Sequence, residues 1–187
     1  MQSRKIIAGV DEVGRGSLVG SVVSAAVILS DNTSTEDFKD SKKLREKKRI
    51  AIANNIIQTS LSVSVGIATK EEIDLMNIHN ASLLSMKRAI NNLYLKPNLV
   101  LVDGIHSPDI DIECRSIIKC YDNIKEIYAA SIIAKVTSDF EMNFIDTKYP
   151  MYSLKDNKGY LTRQHKQAIA SFGKTIYHRN SFFTQYE

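Results

Sequence analysis

Two adjacent carboxylates, Asp11 and Glu12, follow the apolar run 6–10 and precede a glycine-rich turn. A strand that delivers adjacent carboxylates to the rim of a sheet offers oxygen ligands where a divalent cation and a phosphate can meet. In the turn Gly14-Arg15-Gly16, two positions without a Cβ allow close approach to a sugar or phosphate, and the arginine supplies a bidentate donor. Such a motif is also common in solvated turns, so both interpretations stay open.

Asp103 repeats this arrangement. It follows the apolar run 99–102 and precedes Gly104. Because both acids follow apolar strands, we expect Asp11 and Asp103 to share one rim of a sheet. The alternative is that Asp103 belongs to an ordinary Asp-Gly turn and bonds only its own backbone.

Asp139 lies in a predicted long helix that contains neither glycine nor proline. Ala130, Ala134 and Ser138 recur at helical spacing, and such small side chains would let this helix approach the sheet closely. Lys135 precedes Asp139 by one helical turn, so both would lie on one face, near the same rim. The alternative is an exposed Lys-Asp pair, worth only about 0.3–0.5 kcal/mol.

Carboxylates gathered at one rim would repel one another and raise some of their own pKa values, unless cations neutralised them. The candidate ligands are Asp11, Glu12, Asp103 and Asp139. An all-oxygen ligand set favours Mg²⁺ or Mn²⁺ over zinc. Two such ions roughly 4 Å apart could activate a water and stabilise the leaving oxygen of a phosphodiester.

The elements that must position these residues alternate along the chain. Strands are predicted at 5–10, 22–29, 61–68, 99–102 and 114–118, and helices at 41–59, 71–94 and 124–147. This alternation predicts an α/β sheet, and the adjacency of the first two strands predicts that it is mixed. A chain of 187 residues suits a single domain, 1–187, in which residues from about 151 onward form a polar and aromatic extension.

Composition narrows the setting of the protein. The net charge of +4 suits a polyanionic partner but is too modest to identify one. No run is apolar enough to span a bilayer, and the N-terminal residues lack a secretory core, so cytoplasmic residence is the expectation. Cys114 and Cys120 suggest neither a disulfide framework nor a zinc site. A monomer is the default, and the sequence identifies no protein partner.

The basic residues are densest between positions 39 and 49. Lys42 and Lys43, at the start of the predicted helix, are candidates for phosphate contacts, whereas the later members suit a solvated helical face. The histidines show no ligand spacing and are interpreted as surface or capping residues, although His165 and His178 could also reach a substrate from the tail.

Several separated motifs occur in a characteristic order. They are GVDEVGRG at 9–16, DSKKL at 40–44, EID at 72–74, VDG at 102–104, ASIIAKVT at 130–137, KGY at 158–160 and HRNSF at 178–182. In content and order they resemble ribonuclease HII nearly end to end.

The resemblance implies a ribonuclease H-like mixed β-sheet flanked by helices, with a C-terminal helical extension that contributes to substrate binding. It implies that Asp11, Glu12, Asp103 and Asp139 bind the metal ions. The implied reaction hydrolyses the RNA strand of RNA/DNA hybrids and cuts 5′ to single ribonucleotides in duplex DNA, leaving a 3′-hydroxyl and a 5′-phosphate. Gly14, Arg15 and Gly16 would sense the 2′-hydroxyl, and Tyr160 would pack on the following sugar.

The sequence departs from the usual pattern of this family at several positions. Serines replace prolines at Ser17 and Ser21, which would make the loop less rigid. The other departures are Ser138 for arginine, Tyr121 for an acid and Leu161 for glycine. We expect them to affect substrate affinity more than chemistry. Two alternatives remain: a DNA junction resolvase with the same kind of sheet, and a non-catalytic module that binds hybrids.

Overall fold

The centre of the molecule is a five-stranded sheet with the strand order β3-β2-β1-β4-β5. The computed structural model describes residues 5–36, 38, 44–118 and 124–183. The strands are β1 (Ile7–Val13), β2 (Val22–Ile28), β3 (Ser62–Ala68), β4 (Leu99–Asp103) and β5 (Cys114–Ile117). The helices are α1 (Glu46–Thr59), α2 (Lys70–Asn91), α3 (Lys125–Lys148), α4 (Leu154–Asn157) and α5 (Arg163–Phe172), with 3₁₀ turns at Pro150–Tyr152 and Asn180–Phe182.

The sheet is mixed, as predicted. β1 and β2 form an antiparallel hairpin, β3 pairs antiparallel with β2, and β4 and β5 continue the sheet in parallel from β1. In the register of β1 and β4, Val10 lies opposite Val102. The next residues along the two strands are Asp11 and Asp103, so the parallel pairing brings these acids to the same end of the sheet.

Helices cover both faces of the sheet. On one face α1 and α3 pack against Ala25 and Val27 of β2, and on the other α2 packs against Ala26 and Ile28. Every residue of β2 is therefore buried, as expected for a central strand covered on both sides. No helix in the described ranges is long and apolar enough to cross a membrane.

Glycine allows the closest approach of α3 to the sheet. A Cβ added to Gly9 would lie 2.1 Å from the carbonyl carbon of Glu126, at the start of α3. Ala130 and Ala134, farther along this helix, are fully buried. The predicted close packing of α3 on the sheet is confirmed, and it fixes the end of β1 relative to Asp139.

Several predicted boundaries were wrong. β1 continues to Val13 because it pairs with β2 past the acids, so Asp11 and Glu12 lie within the strand. The helix predicted at 41–59 begins at Glu46, because Arg45 has extended backbone, and its first predicted residues lie outside the described ones. α2 ends at Asn91 and is interrupted at Asn77, whose φ is 70°.

The predicted C-terminal helical extension is present and packs on the second half of α3. Its helices and turns form an apolar cluster with the end of α3 and with the segment between β1 and β2. The buried members are Leu18, Val19, Met142, Ile145, Tyr152, Leu154 and Ala168. Residues after position 149 therefore support the loop that follows Asp11 and Glu12.

Candidate active site

Asp11 and Asp103 lie on adjacent parallel strands, each directly after the last residue in the register of β1 with β4. The Glu12 N–H donates a hydrogen bond to Asp11 Oδ1 (2.7 Å), and the Ser131 hydroxyl of α3 donates another to the same carboxyl. Burial, with repulsion from Glu12 and then Asp103, nevertheless raises the pKa of Asp11 from 3.8 to about 7. The site therefore holds negative charge at a considerable electrostatic cost.

Glu12 adds to this charge. Burial raises the pKa of its carboxyl, and the Arg15 guanidinium opposes that rise across a separation of 3.5 Å between Nη1 and Oε1. Its other oxygen, Oε2, is buried and has no hydrogen-bond partner among the described residues. Because an unsatisfied buried oxygen costs about 1–3 kcal/mol, Glu12 is suited to accept a ligand from outside the chain.

Asp139 lies on the face of α3 that carries Lys135, and the Lys135 Nζ is 2.6 Å from its Oδ1. The predicted shared face is confirmed, but the pair is buried rather than exposed. Arg49 of α1 donates to the second oxygen of Asp139 (2.7 Å) and to the Leu44 carbonyl (2.9 Å). Arg49 is itself buried, so its assignment to a solvated helical face was wrong.

Carboxylate oxygens are the kind of ligand that a hard divalent cation prefers, so these side chains are chemically suited to bind one. Within the described ranges, no three carboxylate, imidazole or thiol side chains converge closely enough to hold a metal ion as they stand. The unpartnered oxygen of Glu12 and the raised pKa of Asp11 are features that a bound cation would relieve. Asp139, by contrast, already has cationic partners in Arg49, Lys135 and, at 4.0 Å, Lys158, with which a metal ion would compete.

The loop after Glu12 is held in place by Arg179, which is fully buried. Its guanidinium donates to the carbonyls of Gly20 (2.8 Å), Ser21 (2.8 Å) and Arg15 (3.3 Å). Burial lowers the pKa of Arg179 to about 10, which still leaves it charged at neutral pH. Gly14, whose φ is 97°, begins this loop.

The structure brings Tyr160 to this loop. A Cβ on Gly16 would lie 3.3 Å from Tyr160 Cε1, so the ring packs directly on the glycine backbone. Gly159 is equally close to the loop, because a Cβ there would lie 2.1 Å from the Ser17 hydroxyl oxygen. Arg15, Gly16 and Tyr160 are exposed and form one surface patch, in which the tyrosine remains 43% exposed, whereas Gly14 is buried.

The two serines that replace prolines each hydrogen bond within this region. Ser17 donates its hydroxyl to the Val19 carbonyl (2.7 Å) and is buried. Ser21 donates its hydroxyl (2.8 Å) and its N–H (3.2 Å) to Glu141 of α3. The loop is therefore tied to α3 by hydrogen bonds at a position where proline would restrict the backbone.

The motifs EID and HRNSF meet in space. Asp74 accepts hydrogen bonds from the N–H groups of Asn180 (3.0 Å) and Ser181 (2.8 Å) and from the Ser181 hydroxyl (2.7 Å). These bonds lower the pKa of Asp74 against the effect of burial, which acts first and in the opposite direction. The contact attaches the segment that contains Arg179 to α2.

A cleft of about 330 Å³ opens beside Asp103 and includes Arg15, Gly104, His79 and His106 in its walls. The rings of His79 and His106 pack edge to face, with centroids 4.8 Å apart. The cleft runs between Arg15 of the loop and Asp103 and gives this end of the sheet a concave approach.

Other predicted residues lie elsewhere or were misjudged. Lys42, Lys43 and Tyr121 fall outside the described residues. His165 and His178 are fully buried, so neither is a surface residue and neither reaches a substrate directly.

Sequence reasoning missed the residues that hold the predicted ones in place. Ser131 could have been found from the face of α3 that carries Lys135 and Asp139, on which it precedes Lys135 by one turn. Arg49 had no local signal that separated it from its basic neighbours. Arg179 acts only through contacts with residues far away in the sequence, which no local pattern reveals.

The comparisons with known proteins agree with one another. The sequence model of the family Ribonuclease HII matches residues 8–185. Ribonuclease HII of Shewanella pealeana is 52% identical over 175 residues, which cover 94% of this chain and 86% of that protein.

Solved structures show the same fold. Ribonuclease HII of Archaeoglobus fulgidus, solved in complex with PCNA, matches with a TM-score of 0.78 and 27% identity over 96% of this chain and 94% of that one. The Bst ribonuclease HIII, solved with Mn²⁺, matches with a TM-score of 0.65 and 18% identity over 91% of this chain and 70% of that one. The chain therefore belongs to the ribonuclease HII family, whose members are hydrolytic endonucleases that act on RNA/DNA hybrids.

Proposed function

We propose that this protein is a divalent-metal-dependent endoribonuclease that cuts the RNA strand of hybrids and incises 5′ to single ribonucleotides in duplex DNA. The main support is the position of Asp11 and Asp103, which directly follow the paired residues Val10 and Val102 on adjacent parallel strands, next to the unpartnered buried oxygen of Glu12. Residues 1–187 would act as one catalytic domain, with 151–187 contributing to substrate binding. A monomer in the cytoplasm stays a prediction.

Asp11, Glu12, Asp103 and Asp139 would hold the metal ions. When bound, Mg²⁺ or Mn²⁺ supplies an activated water and stabilises the leaving 3′ oxygen. The chain supplies the anionic oxygens, and burial by α3 keeps them close despite their repulsion. Lys135 and Arg49 balance the charge of Asp139 before the ions arrive, so the site does not carry all four negative charges uncompensated.

Selectivity for RNA would come from the loop residues Gly14, Arg15 and Gly16 together with Tyr160. The 2′-hydroxyl distinguishes RNA from DNA, and backbone groups of a glycine loop can contact it without steric obstruction. Tyr160 would pack on the sugar that follows the ribonucleotide, because its exposed ring already lies over Gly16. Lys42 and Lys43 would contact phosphates.

The test is cleavage of a labelled DNA duplex that contains one ribonucleotide, beside a long RNA/DNA hybrid and an all-DNA duplex. Each is incubated with Mg²⁺, with Mn²⁺ and with chelator. We expect metal-dependent incision 5′ to the ribonucleotide, no cleavage of all-DNA substrates, and no activity in the Asp103→Asn variant, which should still bind hybrid.

Other outcomes would contradict the proposal in specific ways. Cutting of an all-DNA four-way junction would instead favour a junction resolvase. Binding of hybrids by folded protein without cleavage in either metal would favour a binding module. Undiminished turnover by Asp103→Asn would overturn the metal-ligand assignment.

A further inference from the structure

Two imidazoles that the proposed chemistry does not use are buried behind the sensing loop. His165, on α5, and His178, in the segment after it, have exposures of 0% and 1%. Their Nε2 atoms are 3.2 Å apart. His165 Nδ1 is 3.0 Å from the Tyr160 carbonyl oxygen, and His178 Nδ1 is 2.9 Å from the Thr175 backbone nitrogen. The two rings thus connect Thr175 with Tyr160.

The groups at the two ends of this chain of hydrogen bonds determine which ring nitrogens carry protons. The Thr175 N–H can only donate, and the Thr175 hydroxyl, also 2.9 Å from His178 Nδ1, accepts from the Tyr177 N–H and can donate its own hydrogen. His178 Nδ1 therefore accepts, and the proton of that ring is on Nε2. His178 Nε2–H then donates to His165 Nε2, which leaves the proton of His165 on Nδ1. His165 Nδ1–H donates to the Tyr160 carbonyl, which can only accept. All four ring nitrogens are satisfied only when both rings are neutral.

This chain of hydrogen bonds joins the two sides of the proposed substrate patch. At one end it bonds the peptide of Tyr160, whose ring lies over Gly16. At the other end it lies in the segment containing Arg179, which holds the carbonyls of Arg15, Gly20 and Ser21. The backbone of His178 also bridges to Val19, within the same loop.

We propose that His165 and His178 are positioning residues for ribonucleotide recognition. The hydrogen bonds through this pair of rings hold Tyr160 in a fixed position against the Gly14-Arg15-Gly16 loop. The inference rests on the proposed role of Tyr160, because the imidazoles reach the substrate only through that residue. They stay buried and neutral, and they neither transfer protons to the substrate nor bind metal.

The surroundings of the pair favour the neutral state. Tyr152 packs against both rings, with centroids 6.1 Å from His165 and 5.3 Å from His178, and it donates its hydroxyl to the Gly173 carbonyl. Phe183 covers His178, and the Lys174 ammonium, which lies over Phe183, opposes a positive charge on His178. Burial lowers the pKa of both histidines, that of His178 to about 4. A second proton on either ring would set two N–H donors against each other.

The first test is ¹⁵N NMR of the unmodified, full-length protein at neutral pH. We expect His178 as the Nε2–H tautomer and His165 as the Nδ1–H tautomer, and we expect the Tyr160 ring resonances to shift when the pair titrates under acid conditions. Any other pair of tautomers, or a Tyr160 signal that does not move with the titration, would overturn the proposal. This test requires no substitution.

The second test uses two substitutions that break this chain of hydrogen bonds at different points. His165→Asn retains an amide donor at the position of Nδ1, toward Tyr160, but loses the link to His178. His165→Gln reaches the position of Nε2 but loses the bond to Tyr160. We expect His165→Gln to lower single-ribonucleotide incision relative to long-hybrid cleavage about fivefold, as for one lost hydrogen bond, and His165→Asn to lower it less.

A purely structural role would make both variants lose activity in proportion to their loss of stability. Ser85→Ala is the control, because it removes a buried hydrogen bond to Ser24 far from Tyr160. It should change stability without changing the ratio of the two activities. An equal fall of that ratio in all three variants would overturn the proposal.

Tyr160→Ala separates this inference from the proposed function. If the histidines act through Tyr160, adding His165→Gln to Tyr160→Ala should cause no further loss of selectivity. If Tyr160→Ala itself cleaves every substrate normally, the proposed role of the tyrosine is wrong and the inference falls with it. If Tyr160→Ala loses selectivity while His165→Gln retains it, only the inference is wrong.

Discussion

Asp11 carries much of the electrostatic cost of assembling the site in its one carboxyl group. The carboxyl accepts two hydrogen bonds that favour its charged form, but burial and the neighbouring acids outweigh them. Its pKa is therefore higher in the folded protein than in the unfolded chain, so ionisation of Asp11 opposes folding. This cost is absent at about pH 4 and is complete once the pH has risen above about 7.

Asp11→Asn should consequently stabilise the metal-free protein at pH 8, by roughly 2–4 kcal/mol, while abolishing cleavage. The gain should vanish near pH 4, where the parent carboxyl is protonated. Urea unfolding at both pH values, with chelator, measures the difference. Mg²⁺ should stabilise the parent more than the variant, and equal stabilisation of the two proteins would argue against Asp11 as a ligand.

Arg15 occupies a different position in the energetics of the site. Its side chain is about half exposed, and its Nη1 lies 3.5 Å from Glu12 Oε1. Because an ion pair with an exposed arginine contributes little to stability, loss of Arg15 should not unfold the protein. We expect Arg15→Ala to reduce discrimination between ribonucleotide-containing and all-DNA duplexes roughly tenfold, through the loss of a charge-assisted hydrogen bond. Competition binding of the two duplexes measures this ratio, and unchanged discrimination would contradict the proposed sensing role.

Residue types and spacing were enough to predict that Asp11 and Asp103 lie at one end of the sheet, because each follows an apolar run. The groups that hold them were beyond this reasoning. Arg49 looks like any other cation of a basic run until α1 packs against α3. His165 and His178 looked like surface residues because nothing in their local sequence indicates that their rings face each other in the core.

At the scale of elements, glycine controls how closely each helix or loop approaches its neighbour. Gly9 and Gly16 make a useful contrast because both have ordinary backbone conformations. A Cβ on Gly9 would meet the backbone of α3 at 2.1 Å, whereas a Cβ on Gly16 would meet the end of the Tyr160 ring at 3.3 Å. Backbone packed in the core cannot move as a side chain can.

Gly9→Ala should therefore destabilise the protein by roughly 2–4 kcal/mol, since α3 must shift away from β1. Gly16→Ala should change stability by less than about 1 kcal/mol but displace Tyr160 and lower selectivity for single ribonucleotides. Thermal unfolding and the cleavage assays described above distinguish the two effects. A Gly9→Ala variant as stable as the parent would contradict the close β1–α3 packing.

Arg49 joins two elements, because its guanidinium links α1 to Asp139 of α3 in the core. Arg49→Met should cost roughly 2–3 kcal/mol, less than the usual cost of breaking a buried pair because Lys135 remains beside Asp139. It should also lower the Mg²⁺ concentration needed for half-maximal activity if the arginine and the metal ion compete. Lys47→Met, on the exposed side of α1, is the control for both measurements.

The alternation of periodic segments predicted the class of elements well, but it did not predict their ends. β1 was expected to stop at Val10 because two charged residues follow, yet its pairing with β2 carries it to Val13. Local polarity favoured a strand end, and the ladder of tertiary hydrogen bonds overrode it. The start of α1 was also misplaced, because Arg45 has extended backbone.

For the whole molecule, a net charge of +4 makes electrostatic attraction to nucleic acid modest and dependent on a few residues. If Lys42 and Lys43 each neutralise one phosphate, replacing both with alanine should reduce the slope of log affinity against log salt by about 2. Hybrid binding between low and moderate salt, in chelator, measures the slope. Lys47→Ala with Lys48→Ala is the matched control from the same basic run, and an equal change in that variant would show that the effect is not specific.

The order of the chain has a consequence for the protein during its own synthesis. Asp139 completes the set of acids before the ribosome has made Tyr160 or Arg179. A nascent chain that has only reached the end of α3 thus contains the proposed ligands without the groups that fasten the loop beside them. Only after Arg179 has left the ribosome and bound the carbonyls of Arg15, Gly20 and Ser21 is the proposed ribonucleotide-recognition loop complete, so we expect discrimination to be the property acquired last.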